Sequence, residues 1–204
     1  MGYYNEPRLI YSEPAFQNGP WNASDRRTVH LGIDVFGPAS TNIRAPIDGK
    51  IIIAENRTGH LDYGGVIILE HETTKGDVFF TLYGHLDPKF LKHLKVGDFL
   101  RAGEKFCSLG DSESNGGWAP HLHFQIMTSL LNEVDNFPGV GEEYLLNIWE
   151  QISPDPNIIL QIPESFFTNK VKKEKILLKR KKNIARNLSC LLYTSPSPRD
   201  QRGS

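Results

Sequence analysis

The chemistry this chain can perform is concentrated in five side chains: His30 and Asp34, then His85, then His121 and His123. In an extended strand residues two apart point to the same face, so His121 and His123 can offer two imidazoles to one point in space. His30 and Asp34 are four apart, a spacing that puts both on one face whether the backbone is extended or helical. Imidazole and carboxylate are the usual non-thiol donors to a catalytic zinc, which takes three protein ligands and a water. Five groups exceed that need. A hydrolytic centre also requires a base for the water proton and a donor for the oxyanion, and the surplus can supply them. Spacing alone does not sort the five into roles. His60, His71 and His93 have no partner at ligand spacing and are expected to be solvated. Cys107, between apolar neighbours, reads as a small core residue.

Strands must carry these groups. Asp48-Gly49 is a turn dipeptide ahead of the β-branched run Lys50 to Glu55, which predicts a strand. Gly64-Gly65 opens Val66 to His71, and Lys75-Gly76 opens Asp77 to His85, the pattern of a hairpin whose second strand ends at His85. Short apolar pieces separated by glycine turns follow through Leu109, arguing for a compact antiparallel β architecture. Leu109 to Pro120 is a Gly/Ser/Asn loop without the Lys-Ser/Thr of a phosphate cradle, and it delivers the chain into a buried strand at His121 to Met127. Trp118 and Pro120 either stiffen that loop or, for Trp118, wall a substrate groove; the first reading is preferred. Tyr144, Leu145, Ile148 and Trp149 at helical spacing predict a covering helix over Glu142 to Gln151, stopped by Pro154 and Pro156. Arg8 to Asn22 has no period and reads as a lead-in without an element of its own.

The chain of 204 residues is 39% hydrophobic, enough for one domain with a real core. Residues 1–168 carry 12 Lys and Arg against 22 Asp and Glu, whereas residues 169–186 carry nine against one. That basic block is expected to be a solvated helix face or linker, with neither nucleic acid nor membrane as partner. The start at Met1 has no basic region followed by an apolar run, no stretch reaches the ~18 apolar residues of a membrane span, and two cysteines make no disulfide framework. The expected address is cytoplasmic.

His30 to Asp34 as H-x-x-x-D, Tyr83 to Leu86 as Y-G-H-L and His121 to Phe124 as H-L-H-F, with A-P-I-D-G-K and V-G-D-F-L-R-A-G-E between them, resemble the lysostaphin/LytM family of zinc metallopeptidases. The similarity runs over roughly residues 28 to 127 in one order. It implies a mainly antiparallel β domain of the duplicated hybrid motif type, with its site in a groove between loops and a short C-terminal covering helix. It also implies zinc held by His30, Asp34 and His123, with His121 as general base and His85 assisting the water or the oxyanion. The implied reaction is hydrolysis of a peptide bond in a glycine-rich or peptidoglycan-derived cross-link. Members of this family are exported, and the absence of an export signal sits uneasily with a wall substrate.

A broader resemblance, over Arg27 to Leu160, is to the peptidase-like module of large proteins that also contain a small-molecule kinase and a class III aminotransferase. On that reading the module could instead be a zinc-binding scaffold without catalysis. The organisation expected is a lead-in over 1–27, the metallopeptidase-like domain over 28–163, and a basic helix or linker over 164–189 that begins an aminotransferase. Residues 190–204 resemble the translation of a sequencing adapter rather than a domain end. Two other readings are weaker. A biotinyl or lipoyl carrier needs a methionine-flanked lysine that is lacking, and a histidine-phosphorylated sugar transferase has no use for Asp34.

Overall fold

The computed structural model describes residues 1–12, 16 and 27–167. Its strands are β1 (Glu6–Pro7), β2 (Arg27–His30), β3 (Ile33–Phe36), β4 (Asn42–Arg44), β5 (Gly49–Arg57), β6 (Gly64–Glu72), β7 (Val78–Leu86), β8 (Phe99–Leu100), β9 (Lys105–Ser108), β10 (His121–Met127) and β11 (Val140–Glu142). Two short helices follow, α1 (Leu146–Ile152) and α2 (Asn157–Leu160). Six strands form one sheet in the order β3-β10-β7-β6-β5-β8, flanked by a three-stranded sheet β1-β2-β11 and the pair β4-β9. The pairings are antiparallel, as the glycine-punctuated pattern predicts.

The central sheet is covered on both faces, and its strands sort their side chains with a period of two. Ile67 and Leu69 of β6 join Tyr83, Phe124 and Ile126 in one cluster, while Val66 and Ile68 join Leu82 and Met127 in the other. The β6-β7 hairpin turns at Thr73 to Asp77, where Gly76 adopts a φ of +87° that the lysine-glycine dipeptide makes accessible. Among the described residues no helix is long and apolar enough to cross a membrane.

Three local expectations are corrected. The helix expected from Glu142 to Gln151 is a 3-10 turn at Glu143–Leu145 followed by α1, while Glu142 stays in β11 and accepts a 2.9 Å hydrogen bond from Trp149 Nε1. Its covering face is correspondingly narrow, because Tyr144 and Ile148 are exposed and Trp149 is buried. The lead-in from Arg8 to Asn22 is not without an element, since a 3-10 turn at Leu9–Ser12 lies within it, just after β1. His71 is buried rather than solvated. It lies on a strand enclosed on both sides, where its Nδ1–H donates to Asp48 O at 2.6 Å and its Nε2 accepts from Thr81 Oγ1 at 2.7 Å.

The chain divides into two compact units, Met1–Ile162 and Pro163–Ser204. In the second unit the described part is the 3-10 turn Glu164–Phe167. The expected basic block over 169–186 and the adapter-like tail over 190–204 lie outside the described residues.

Candidate metal centre

β10 lies between β3 and β7, and the register sets Asp34 opposite His123 on one side and Gly84 opposite it on the other. Leu31 and Gly32 separate β2 from β3, so His30 ends one sheet while Asp34 lies in the next, and both side chains converge on His123. The approach requires glycine at position 32, where a Cβ would lie 2.7 Å from the His123 ring and from Phe124 O. His30 Nε2, Asp34 Oδ1 and His123 Nδ1 form a triangle with edges of 3.0, 3.2 and 2.9 Å. All three residues are buried.

Zinc bonds of ~2.0–2.1 Å put tetrahedral donors about 3.4 Å apart, so this triangle fits one face of such a site. The far nitrogens fit as well. His30 Nδ1 lies 2.9 Å from Tyr3 O and His123 Nε2 lies 3.0 Å from Gln125 Oε1. Carbonyl oxygens only accept, so the His123 ring keeps its proton on the outer side and turns a lone pair inward, as His30 does when it donates to Tyr3 O, a contact that competes at Nδ1 with the donor Arg8 Nη2 3.1 Å away. Gln125 is itself fixed by donating to Ser153 Oγ at 2.9 Å and Pro138 O at 3.2 Å. Burial lowers the His30 pKa and keeps the ring neutral. Burial pushes the Asp34 carboxyl up, but the polar surroundings set by His30 and His123 outweigh it and hold Asp34 well below the usual carboxylate range. Neutral imidazoles and an ionised carboxylate are the protonation states a metal requires.

His121 and His85 stand beside this triangle, their ring centroids 4.2 Å apart. His121 follows the strand alternation from His123. Its Nδ1–H donates to Ala119 O at 2.6 Å, leaving Nε2 as a lone pair 3.7 Å from Asp34 Oδ1. Phe36 stacks on the same ring at 5.0 Å. His85 arrives differently. On β7 it neighbours Gly84, the residue opposite His123, so an unbroken pleat would turn it to the far face. Instead it adopts a φ of +62°, and its N–H bonds Tyr63 O at 2.9 Å. That left-handed residue swings the imidazole back toward His121. Its Nδ1–H donates to Asn115 O at 3.2 Å. Burial lowers both pKa values, that of His85 well below the ordinary histidine range with His121 adding to the effect.

A pocket of about 360 Å³ opens onto His85 and His123, with Tyr63, Trp118 and Leu61 in its walls. Trp118 therefore lines a groove as well as flanking the loop before His121. All five histidine and aspartate candidates are brought together, whereas His60 and His93 are exposed. Sequence reasoning missed Arg8, the Tyr3 carbonyl and Gln125 as supports. Gln125 had a signal, lying two residues beyond His123 on the same face; Arg8 had none.

Three donors on an antiparallel sheet, two neutral imidazoles beside them and a groove at their edge describe a metallohydrolase site. The chain belongs to peptidase family M23, whose family model matches residues 28–136. Peptidases of this family are metallopeptidases, usually with zinc. The chain is 38% identical over 115 residues to the glycyl-glycine endopeptidase ALE-1 of Staphylococcus capitis, and 35% identical over 115 residues to lysostaphin of Staphylococcus simulans. Each match takes in 54% of this chain but only 28% and 20% of those relatives. The catalytic domain of lysostaphin from Staphylococcus simulans superposes with a TM-score of 0.42 at 25% identity, covering 74% of this chain and 90% of that domain.

Proposed function

We propose that this chain is a zinc-dependent metalloendopeptidase that hydrolyses peptide bonds in glycine-rich or peptidoglycan-derived peptides. One observation carries the reading: two buried neutral histidines, His121 and His85, stand beside the three-donor triangle, and His85 opens with the donor His123 onto one groove. A scaffold that merely bound metal would have no use for them. His30, Asp34 and His123 would hold zinc, which when bound supplies Lewis acidity for the scissile carbonyl and lowers the pKa of a water toward ~7.

The remaining work falls to the chain. His121 Nε2, 3.7 Å from Asp34 Oδ1, takes the proton of the attacking water, and the donation of Nδ1–H to Ala119 O stabilises the imidazolium that results. The same nitrogen can then return that proton to the leaving amine. His85, with its proton committed to Asn115 O, presents an acceptor to the groove, which suits it to orienting the attacking water rather than donating to an oxyanion. Trp118 and Phe36 flank the two rings and restrict water around them.

The full chain incubated with pentaglycine and with muropeptides, with and without a zinc chelator, tests this reading. Chelator-sensitive cleavage of either supports it. Intact peptides in the presence of stoichiometric zinc contradict it. Cytoplasmic residence and continuity with kinase and aminotransferase domains belong to the same proposal, and recovery of the uninterrupted reading frame from source DNA tests the latter.

A further inference from the structure

A contact of 2.7 Å to a residue of the metal-site triangle comes from outside the region that matches the family. Arg8 Nη1 lies 2.7 Å from Asp34 Oδ2, the carboxylate oxygen turned away from the histidines, while Oδ1 faces His30 and His123. The guanidinium is itself held in place. Its Nε pairs with Glu6 Oε2 at 3.2 Å and its Nη1 donates to the Tyr11 hydroxyl at 3.0 Å. Its backbone is fixed by Arg8 N to Thr28 O at 3.1 Å. Gly2 completes the arrangement, pairing with Asp34 through two 3.0 Å backbone hydrogen bonds. A Cβ at Gly2 would meet both the Arg8 guanidinium and Asp34 Oδ2. The segment from Gly2 to Arg8 also supplies Tyr3 O, which orients His30.

We propose that Arg8 is a positioning residue of the metal centre: by occupying Oδ2 it restricts Asp34 to a single donor oxygen, Oδ1, and fixes that oxygen's direction. This rests on the metal-centre reading above. An arginine fork suits the task because it meets a carboxylate with directed donors, which a lysine ammonium does not. Positioning and charge predict opposite signs. Removing a cation next to a bound dication would, by Coulomb's law, tighten metal binding. Removing an outer-shell support weakens it, typically by about 10–100-fold.

The test is zinc affinity of the full chain, measured by competition with a chromophoric chelator, for wild type, Arg8→Met, Arg8→Lys and Gly2→Ala. The proposal expects Arg8→Met to weaken zinc by about tenfold or more, with Arg8→Lys recovering part of the loss. Gly2→Ala, which keeps the arginine but crowds the contact, should weaken zinc as well, so the outcome does not depend on one variant folding. With cobalt(II) in place of zinc, Arg8→Met should change the visible ligand-field bands as Asp34 gains freedom to offer its second oxygen. Unchanged or tighter zinc in Arg8→Met and Gly2→Ala, or unchanged cobalt bands, would overturn it. Asp34→Ala serves as the separate control: if it binds zinc like wild type, the metal-centre reading itself fails, whatever Arg8 does.

Discussion

His121 and His123 lie two residues apart in sequence, and the proposed site gives them different roles. Both rings have one nitrogen committed to a carbonyl, but His123 turns Nδ1 into the donor triangle while His121 turns Nε2 to its edge. His121→Ala should therefore keep its zinc while losing turnover by about 10²–10⁴-fold, the usual contribution of a general base. Loss of zinc in that variant, read by metal analysis, would count against the division of roles. Four of the five candidates were readable from sequence because they come in close pairs and a strand's alternation is a local property, whereas His85 was readable only through the Tyr83 to Leu86 motif. Arg8 was not, since its value depends on meeting Asp34 across a sheet and nothing in residues 1 to 12 announces that encounter.

At the scale of elements, β10 organises the site by carrying His121, His123 and Gln125 on one face. Gln125→Leu would leave His123 Nε2–H without its acceptor and free the ring to turn. Zinc should bind about 10–100-fold more weakly while the fold persists, as calorimetry and circular dichroism can check. Unchanged affinity would show that Gln125 merely fills the core. The hairpin and the strand at Lys50 to Glu55 followed from turn chemistry and β-branched runs, but the direction of the His85 side chain did not. Its left-handed backbone breaks the alternation, and no pattern of period two could foresee it. The covering helix was misjudged at its start because Glu142 looks like a polar first-turn residue, whereas in the fold it closes a strand and accepts from Trp149.

Across the whole molecule, stability is tied to groups buried without charge. His71 is held in its neutral form, its pKa lowered from 6.5 chiefly by burial. The folded state binds fewer protons there than the unfolded chain. Its contribution is complete above about pH 6.5 and is lost as pH falls from there toward the lower folded value. Denaturant unfolding of the metal-free chain should show that decline. Thr81→Val should lower stability by about 1–3 kcal/mol at neutral pH, because His71 Nε2 and the Tyr83 hydroxyl lose the Thr81 hydroxyl they share. A stability flat between pH 7 and 5 would contradict the role given to His71. Burial of this kind is a long-range outcome, which is why spacing along the chain assigned His71 to solvent.

The central claim is that His30, Asp34 and His123 hold one metal ion. Metal analysis of the full chain and of His123→Ala, purified side by side, tests it most directly. The account predicts about one zinc per wild-type chain and loss of that zinc in the variant. A wild-type chain without stoichiometric zinc, or a variant that retains it, would contradict the account.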